Sequence, residues 1–180
     1  MIVVLDTNVL VSGLMSPGNP PGRIIDFLRA GDISLAIDDR ILAEYSAVLA
    51  RDYFRKYFTV AEKDLILDFI AHDSIRVLCT QSVQGLPDLD DVCFIEVALA
   101  SKAPLVTGNE KHFPVNRRQG AEVYSPAEFL KILNPTGNPP ALPEDSRSLT
   151  FPGLARREEL GGTHGDGFSM SKRAKQKHDD

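Results

Sequence analysis

Three carboxylates in this sequence have positions from which they could do chemistry. The first, Asp6, closes the apolar run Ile2-Val3-Val4-Leu5 and opens the triplet Asp6-Thr7-Asn8. A carboxylate at the end of a buried strand is costly to desolvate unless it is paired, hydrogen-bonded or bound to a cation. Two readings fit it: the cap of a helix starting around Asn8, which Asp does well, or a member of a chemical site. The second, Asp91, lies in Pro87-Asp88-Leu89-Asp90-Asp91-Val92-Cys93-Phe94-Ile95-Glu96-Val97-Ala98-Leu99. At about 100° per residue, Phe94, Ile95 and Ala98 flank Asp91 on both sides, so it points from the middle of an apolar stripe. It also falls in the first helical turn, where the dipole favours a retained negative charge. That geometry favours function over capping. Asp90 projects near the edge of the stripe and Glu96 toward its polar side. Asp88 and Asp90 read as cap or turn residues, with an auxiliary ligand role open.

Glu44 is the third. Ile41, Leu42, Tyr45, Val48 and Leu49 define one apolar helical face, and Glu44 stands at its edge, three residues after Ile41 and four before Val48. It is either a boundary glutamate or a carboxylate reaching along a sheet rim. In Val106-Thr107-Gly108-Asn109-Glu110-Lys111-His112-Phe113, Thr107 and Asn109 can orient water or a ligand by hydrogen bonds, although Asn ligates more weakly than a carboxylate. His112 has no companion at metal-ligand spacing, which favours a structural or phosphate-contacting role. An aspartyl-phosphate phosphatase would need a second Asp where Asn8 stands.

The elements that must position these groups alternate. Residues 2–5 form a continuous apolar run, as in a strand covered on both faces. Helical spacing over 22–30 ends at Gly31, Ile33–Ile37 reads as a strand, and Asp38 and Asp39 offer an N-cap for a helix to about Leu49. A helix from about Ala61 to Ala71, a strand Ile75–Leu78, a loop through Gly85 and Pro87, and a helix over 90–101 follow. Pro104–Val106 and Glu122–Tyr124 read as strands, and Pro126 opens a last helix to Ile132. The pattern predicts a mostly parallel sheet of four to five strands covered on both faces, an α/β/α sandwich over residues 1–134. In such sheets sites gather beyond the carboxyl ends of the strands, where Asp6 and Thr107 both fall. Prolines after Leu133, then glycines, then a basic stretch at 172–177 show no sustained apolar periodicity, so 135–180 reads as a disordered tail.

Composition narrows the classes. A chain of 180 residues with 43% apolar residues suffices for one domain with a sizeable core. No run approaches the ~20 apolar residues of a membrane helix, and the opening run lacks the basic flank of a secretory signal. Cys79 and Cys93 are too few for a disulfide framework or a zinc site, and a cytoplasmic, reducing setting is the expectation. A net charge of −5 argues against electrostatic coating of nucleic acid. It is compatible with acidic groups gathered around divalent cations.

The order Asp6-Thr7-Asn8, Glu44 in a helix, Asp91 opening a helix that reaches Ala98, and Thr107-Gly108-Asn109 after a strand resembles the PIN-domain nucleases. More narrowly, it is similar to the VapC-like toxins of prokaryotic toxin–antitoxin pairs, over about residues 2–132. The resemblance implies a PIN-like fold and a metal-dependent endoribonuclease that leaves a 5′-phosphate and a 3′-hydroxyl. It implies that Asp6, Glu44 and Asp91 bind Mg²⁺ or Mn²⁺, with Asn109 at a fourth position often held by Asp and Thr107 and Asn8 in support. A cognate antitoxin, a homodimer and an RNA substrate are the implied partners. Arg23, Arg51, Arg55, Lys56, Lys111, Arg117 and Arg118 are candidates to line the RNA path. A housekeeping RNA-processing nuclease of the same fold and a catalytically weak RNA-binding module remain as alternatives.

Overall fold

The computed structural model describes residues 1–135 and 137. The tail expected over 135–180 lies outside the described residues, apart from Pro135 and Gly137. The elements run β1 (Ile2–Leu5), α1 (Thr7–Met15), α2 (Pro20–Arg29), β2 (Ser34–Ile37), α3 (Asp39–Leu49) and α4 (Val60–Asp73). β3 (Ile75–Arg76), α5 (Val92–Ser101), β4 (Leu105–Val106), β5 (Val123–Tyr124) and α6 (Pro126–Leu133) follow. Five strands form one parallel sheet in the order β3-β2-β1-β4-β5.

The central strand shows why the sheet is sandwiched. Side chains alternate between faces along a strand, and Val3, Val4 and Leu5 are all fully buried, so both faces of β1 are covered. The register sets Val4 and Leu5 beside Leu105 and Val106 on one flank, and Ile2 and Val3 beside Ser34 and Leu35 on the other. The expected α/β/α architecture is therefore present. α5 packs on β1 and β2, α3 and α4 pack on β2, and α6 packs on β5.

Where the strands differ from expectation, the difference is in length. β3, an edge strand with both residues exposed, ends at Arg76 instead of Leu78, although Val77 N still donates to Ile37 O at 2.8 Å. Pro104 lies just outside β4, since it has no N–H for the ladder, yet its carbonyl accepts from Val4 N at 2.9 Å. α1 and α2 approach closely at Gly13, where a Cβ would stand 2.6 Å from the Pro21 carbonyl oxygen. Among the described residues, no helix is long and apolar enough to cross a membrane.

Candidate active site

The strand order means that the chain winds outward from β1 through β2 to β3, then crosses back to β4 and on to β5. Winding reverses between β1 and β4, and an open parallel sheet leaves a crevice beyond the carboxyl ends of such a pair. Asp6 and Thr107 are the residues that follow these two strands.

Asp6 is 4% exposed, and its backbone N–H donates to Val106 O at 2.9 Å. Its two carboxylate oxygens divide the work. Oδ1 accepts from Asn8 N at 3.1 Å, capping α1, while Oδ2 accepts from the Thr107 hydroxyl at 2.6 Å. The capping and site readings of Asp6 are thus compatible. Thr107 is fully buried, and its Oγ1 in turn accepts from Asn109 N at 3.0 Å. One hydroxyl therefore ties the turn after β4 to the end of β1.

Glu44 is placed by the residue after it. Asp38 caps α3 through Ile41 N at 3.0 Å. Tyr45 is fully buried and donates its hydroxyl to Leu5 O at 2.6 Å, fastening α3 to the end of β1. Half-buried Glu44 then accepts from Thr7 Oγ1 at 2.8 Å. Burial pushes the Tyr45 phenol well above its ordinary range, and the charges of Asp6, Cys93 and Glu44 add to the shift. Asp6 and Glu44 therefore both lie within electrostatic reach of one buried ring.

Asp91 comes from the other side. α5 begins at Val92, so Asp91 sits at the cap position and not inside the first turn, and its side chain makes no capping bond. Instead it is 4% exposed, with Oδ2 at 2.7 Å from His112 Nδ1. Asp88 Oδ1 accepts from Asp90 N at 3.1 Å, which realises the turn reading of Asp88, and Asp90 is exposed. Potential ligand atoms of Asp88, Asp91 and His112 all lie within 4.8 Å of one another. Asp6 and Glu44 are not part of that group. The sequence gives His112 no companion at metal-ligand spacing; its neighbours here come from a distant loop and a helix start, so local spacing held no signal for them.

Glu96 requires a correction. The sequence places it toward the polar side of α5, but it is 5% exposed, because Cys93 through Ala98 are all buried. Arg40 Nη1 meets its Oε2 at 2.6 Å, and Val83 N donates to its Oε1 at 2.9 Å. Arg40 also meets Asp38 Oδ2 at 2.7 Å. Asp38, Arg40 and Glu96 border an open cleft of about 580 Å³, further lined by Asp39, Arg76 and Cys79. The buried run around Glu96 was the available signal: a carboxylate there demands a cation, and Arg40 stands one turn before Glu44 on α3.

Cys93 is buried, as expected of a core thiol. Burial pushes it up to about 12, and the Glu44 and Asp38 carboxylates add to the shift. Iodoacetamide at pH 8 is therefore expected to leave Cys93 of the folded chain unmodified, because the thiolate is the reactive form. Denaturant should expose it. Peptide mass spectrometry of both samples checks this, and rapid native labelling of Cys93 would contradict its burial.

The structure separates the basic candidates. Lys111, Arg117 and Arg118 belong to the segment that follows Asn109, and Arg118 is engaged by Phe113 O at 2.7 Å. Arg51, Arg55 and Lys56 lie beyond the far end of α3. Arg55 meets Asp52 at 3.0 Å there, and Lys56 Nζ stands 4.4 Å above the Tyr53 ring. Arg23 reaches Gly137 O at 3.4 Å.

The chain matches the family described as PIN domain over residues 2–111. It is 30% identical over 139 residues to an uncharacterized protein of Methanocaldococcus jannaschii, covering 72% of this chain and 89% of that protein. Among solved structures it is similar to VapBC2 from Rickettsia felis bound to a DNA fragment from their promoter. That similarity has a TM-score of 0.46 and 18% identity, and covers 69% of this chain and 98% of that one.

Proposed function

The chain belongs to the PIN-domain family of nucleases, and on that premise we propose that it is a metal-dependent endoribonuclease that hydrolyses RNA phosphodiester bonds. The observation that carries this reading is the hydrogen bond from Thr107 to Asp6 across the crevice where the sheet reverses. It holds a nearly buried carboxylate at the place where an α/β sheet receives ligands.

The donor set fits a divalent ion. Asp6, Glu44 and Asp91 are hard oxygen donors drawn from a strand end, a helix and a helix start. Mg²⁺ and Mn²⁺ suit such oxygens and keep several waters when bound by few carboxylates. A divalent ion held there lowers the pKa of water and offsets charge on phosphoryl oxygens. The chain's own residues supply the rest. Thr107 orients Asp6, Thr7 orients Glu44, and Tyr45 fixes the distance between α3 and β1. Asn109 is neutral where a further carboxylate would add charge, which lowers the pull on a second ion. Asn8, Asp88 and Asp90 take supporting or auxiliary roles, and Lys111, Arg117 and Arg118 contact the RNA backbone.

The order of motifs supports the narrower reading of a cytoplasmic toxin, able to form a homodimer and restrained by a cognate antitoxin. Incubation of the purified chain with single-stranded RNA is expected to give internal cuts in Mg²⁺ or Mn²⁺ and none in EDTA. RNA that stays intact with either ion would overturn the enzyme reading. RNA bound but uncut would leave a binding module in its place.

A further inference from the structure

We infer that Asp88, Asp91 and His112 form a cation position containing an imidazole ligand, which takes a first-row transition ion in preference to Mg²⁺. The inference deepens the nuclease reading and rests on it only in sharing Asp91.

The spacing of the donors suits a single ion. In an octahedron with metal–ligand bonds of about 2.1 Å, neighbouring ligands stand about 3.0 Å apart and opposite ones about 4.2 Å apart. His112 Nδ1 and Asp91 Oδ2 are separated by 2.7 Å, close to that edge. The donors of all three residues lie within 4.8 Å of one another, so no pair is much farther apart than the longer span. One ion can therefore reach all three after small side-chain adjustments. In the neutral ring, moving the proton from Nδ1 to Nε2 frees Nδ1 to coordinate, with no change in net charge.

Burial agrees with a ligand role. Asp91 is 4% exposed, so its carboxylate is already largely stripped of water, whereas Asp88 and His112 are half-buried and leave the position open on one side. The fold builds this arrangement from three separate pieces. The Asp88 turn comes from the loop before α5 and Asp91 from the helix start. His112 comes from the 3-10 turn Glu110–His112, whose N–H bonds back to Asn109 O at 3.1 Å.

The donor types decide which ion is preferred. Two carboxylates alone would suit Mg²⁺, but an imidazole nitrogen favours first-row transition ions over Mg²⁺, which holds to oxygen ligands and water. His112, three residues after the neutral Asn109, adds a donor without adding charge.

The test uses Mn²⁺ alone as the probe on the full chain, with no RNA present. Electron spin-echo spectra of the Mn²⁺-loaded protein are expected to show modulation from one imidazole nitrogen. That signal should persist in Asp6→Asn and vanish in His112→Phe. Calorimetric Mn²⁺ affinity should fall at least about tenfold in His112→Phe and in Asp88→Asn, since even the outer partners of metal ligands are worth that much. Mg²⁺ affinity should change less in His112→Phe. Circular dichroism checks folding, and His112→Gln carries the same reading if the Phe variant does not fold. Mn²⁺ binding without nitrogen modulation in the wild type, or modulation that survives the loss of His112, would overturn the inference. Nitrogen modulation in a wild type that cuts no RNA would uphold this site and overturn the nuclease reading.

Discussion

Asp6→Asn is expected to lower metal-dependent RNA cleavage about 10³-fold while leaving the melting temperature almost unchanged. The two effects separate because the two oxygens of Asp6 do different things. Asn caps a helix about as well as Asp, so the bond from Asn8 N survives. The new amide N–H can donate to Thr107 Oγ1, which preserves the contact across the crevice. What disappears is the negative charge. Loss of ~4 kcal/mol of cation-mediated transition-state stabilisation corresponds to about a thousandfold in rate. Asp6→Ala should lose the same activity and also ~1 kcal/mol of stability through the missing cap. Asp91→Asn should match Asp6→Asn in rate, because Asp91 makes no capping bond and its carboxylate faces His112. Single-turnover cleavage and thermal melts on these variants check the set. Wild-type rates in Asp6→Asn would show that Asp6 is a cap and nothing more.

Glu96→Ala is expected to destabilise the fold by about 3 kcal/mol. Removing one member of a buried ion pair strands the other, but Arg40 is 49% exposed and can rehydrate, which holds the cost to the lower part of the usual range. The larger share comes from Val83, whose buried N–H loses its acceptor. A shift of that size lowers the melting temperature of a domain this long by roughly 10 °C. Glu96→Gln keeps an acceptor for Val83 and should cost about half as much. The loop released by Glu96→Ala also carries Asp88, so Mn²⁺ affinity should fall together with stability. A melting temperature for Glu96→Ala within about 2 °C of the wild type would show that the network contributes nothing net.

Much of the fold was legible in the chain because it depends on local patterns. The apolar run 2–5, the N-cap Asp38, the stop at Gly31 and Pro126 at the start of the last helix each act within a few residues. Their alternation is enough to call for a parallel sheet. Strand ends were less legible, since pairing partners and edge position decide where β3 and β4 stop.

The opening carboxylate shows where sequence stops and tertiary structure begins. From the sequence alone, Asp6, Glu44 and Asp91 stand out because a charge in or beside an apolar stripe needs a reason, and that test uses only helical or strand geometry. Their order also carries the family likeness. Tertiary structure alone decided which partners answer them. Thr107 reaches Asp6 across 101 residues of chain, Glu96 finds Arg40 across 56, and His112 meets Asp91 across 21. No periodicity encodes such meetings, because they follow from the winding order of the sheet, which sets the ends of β1 and β4 side by side.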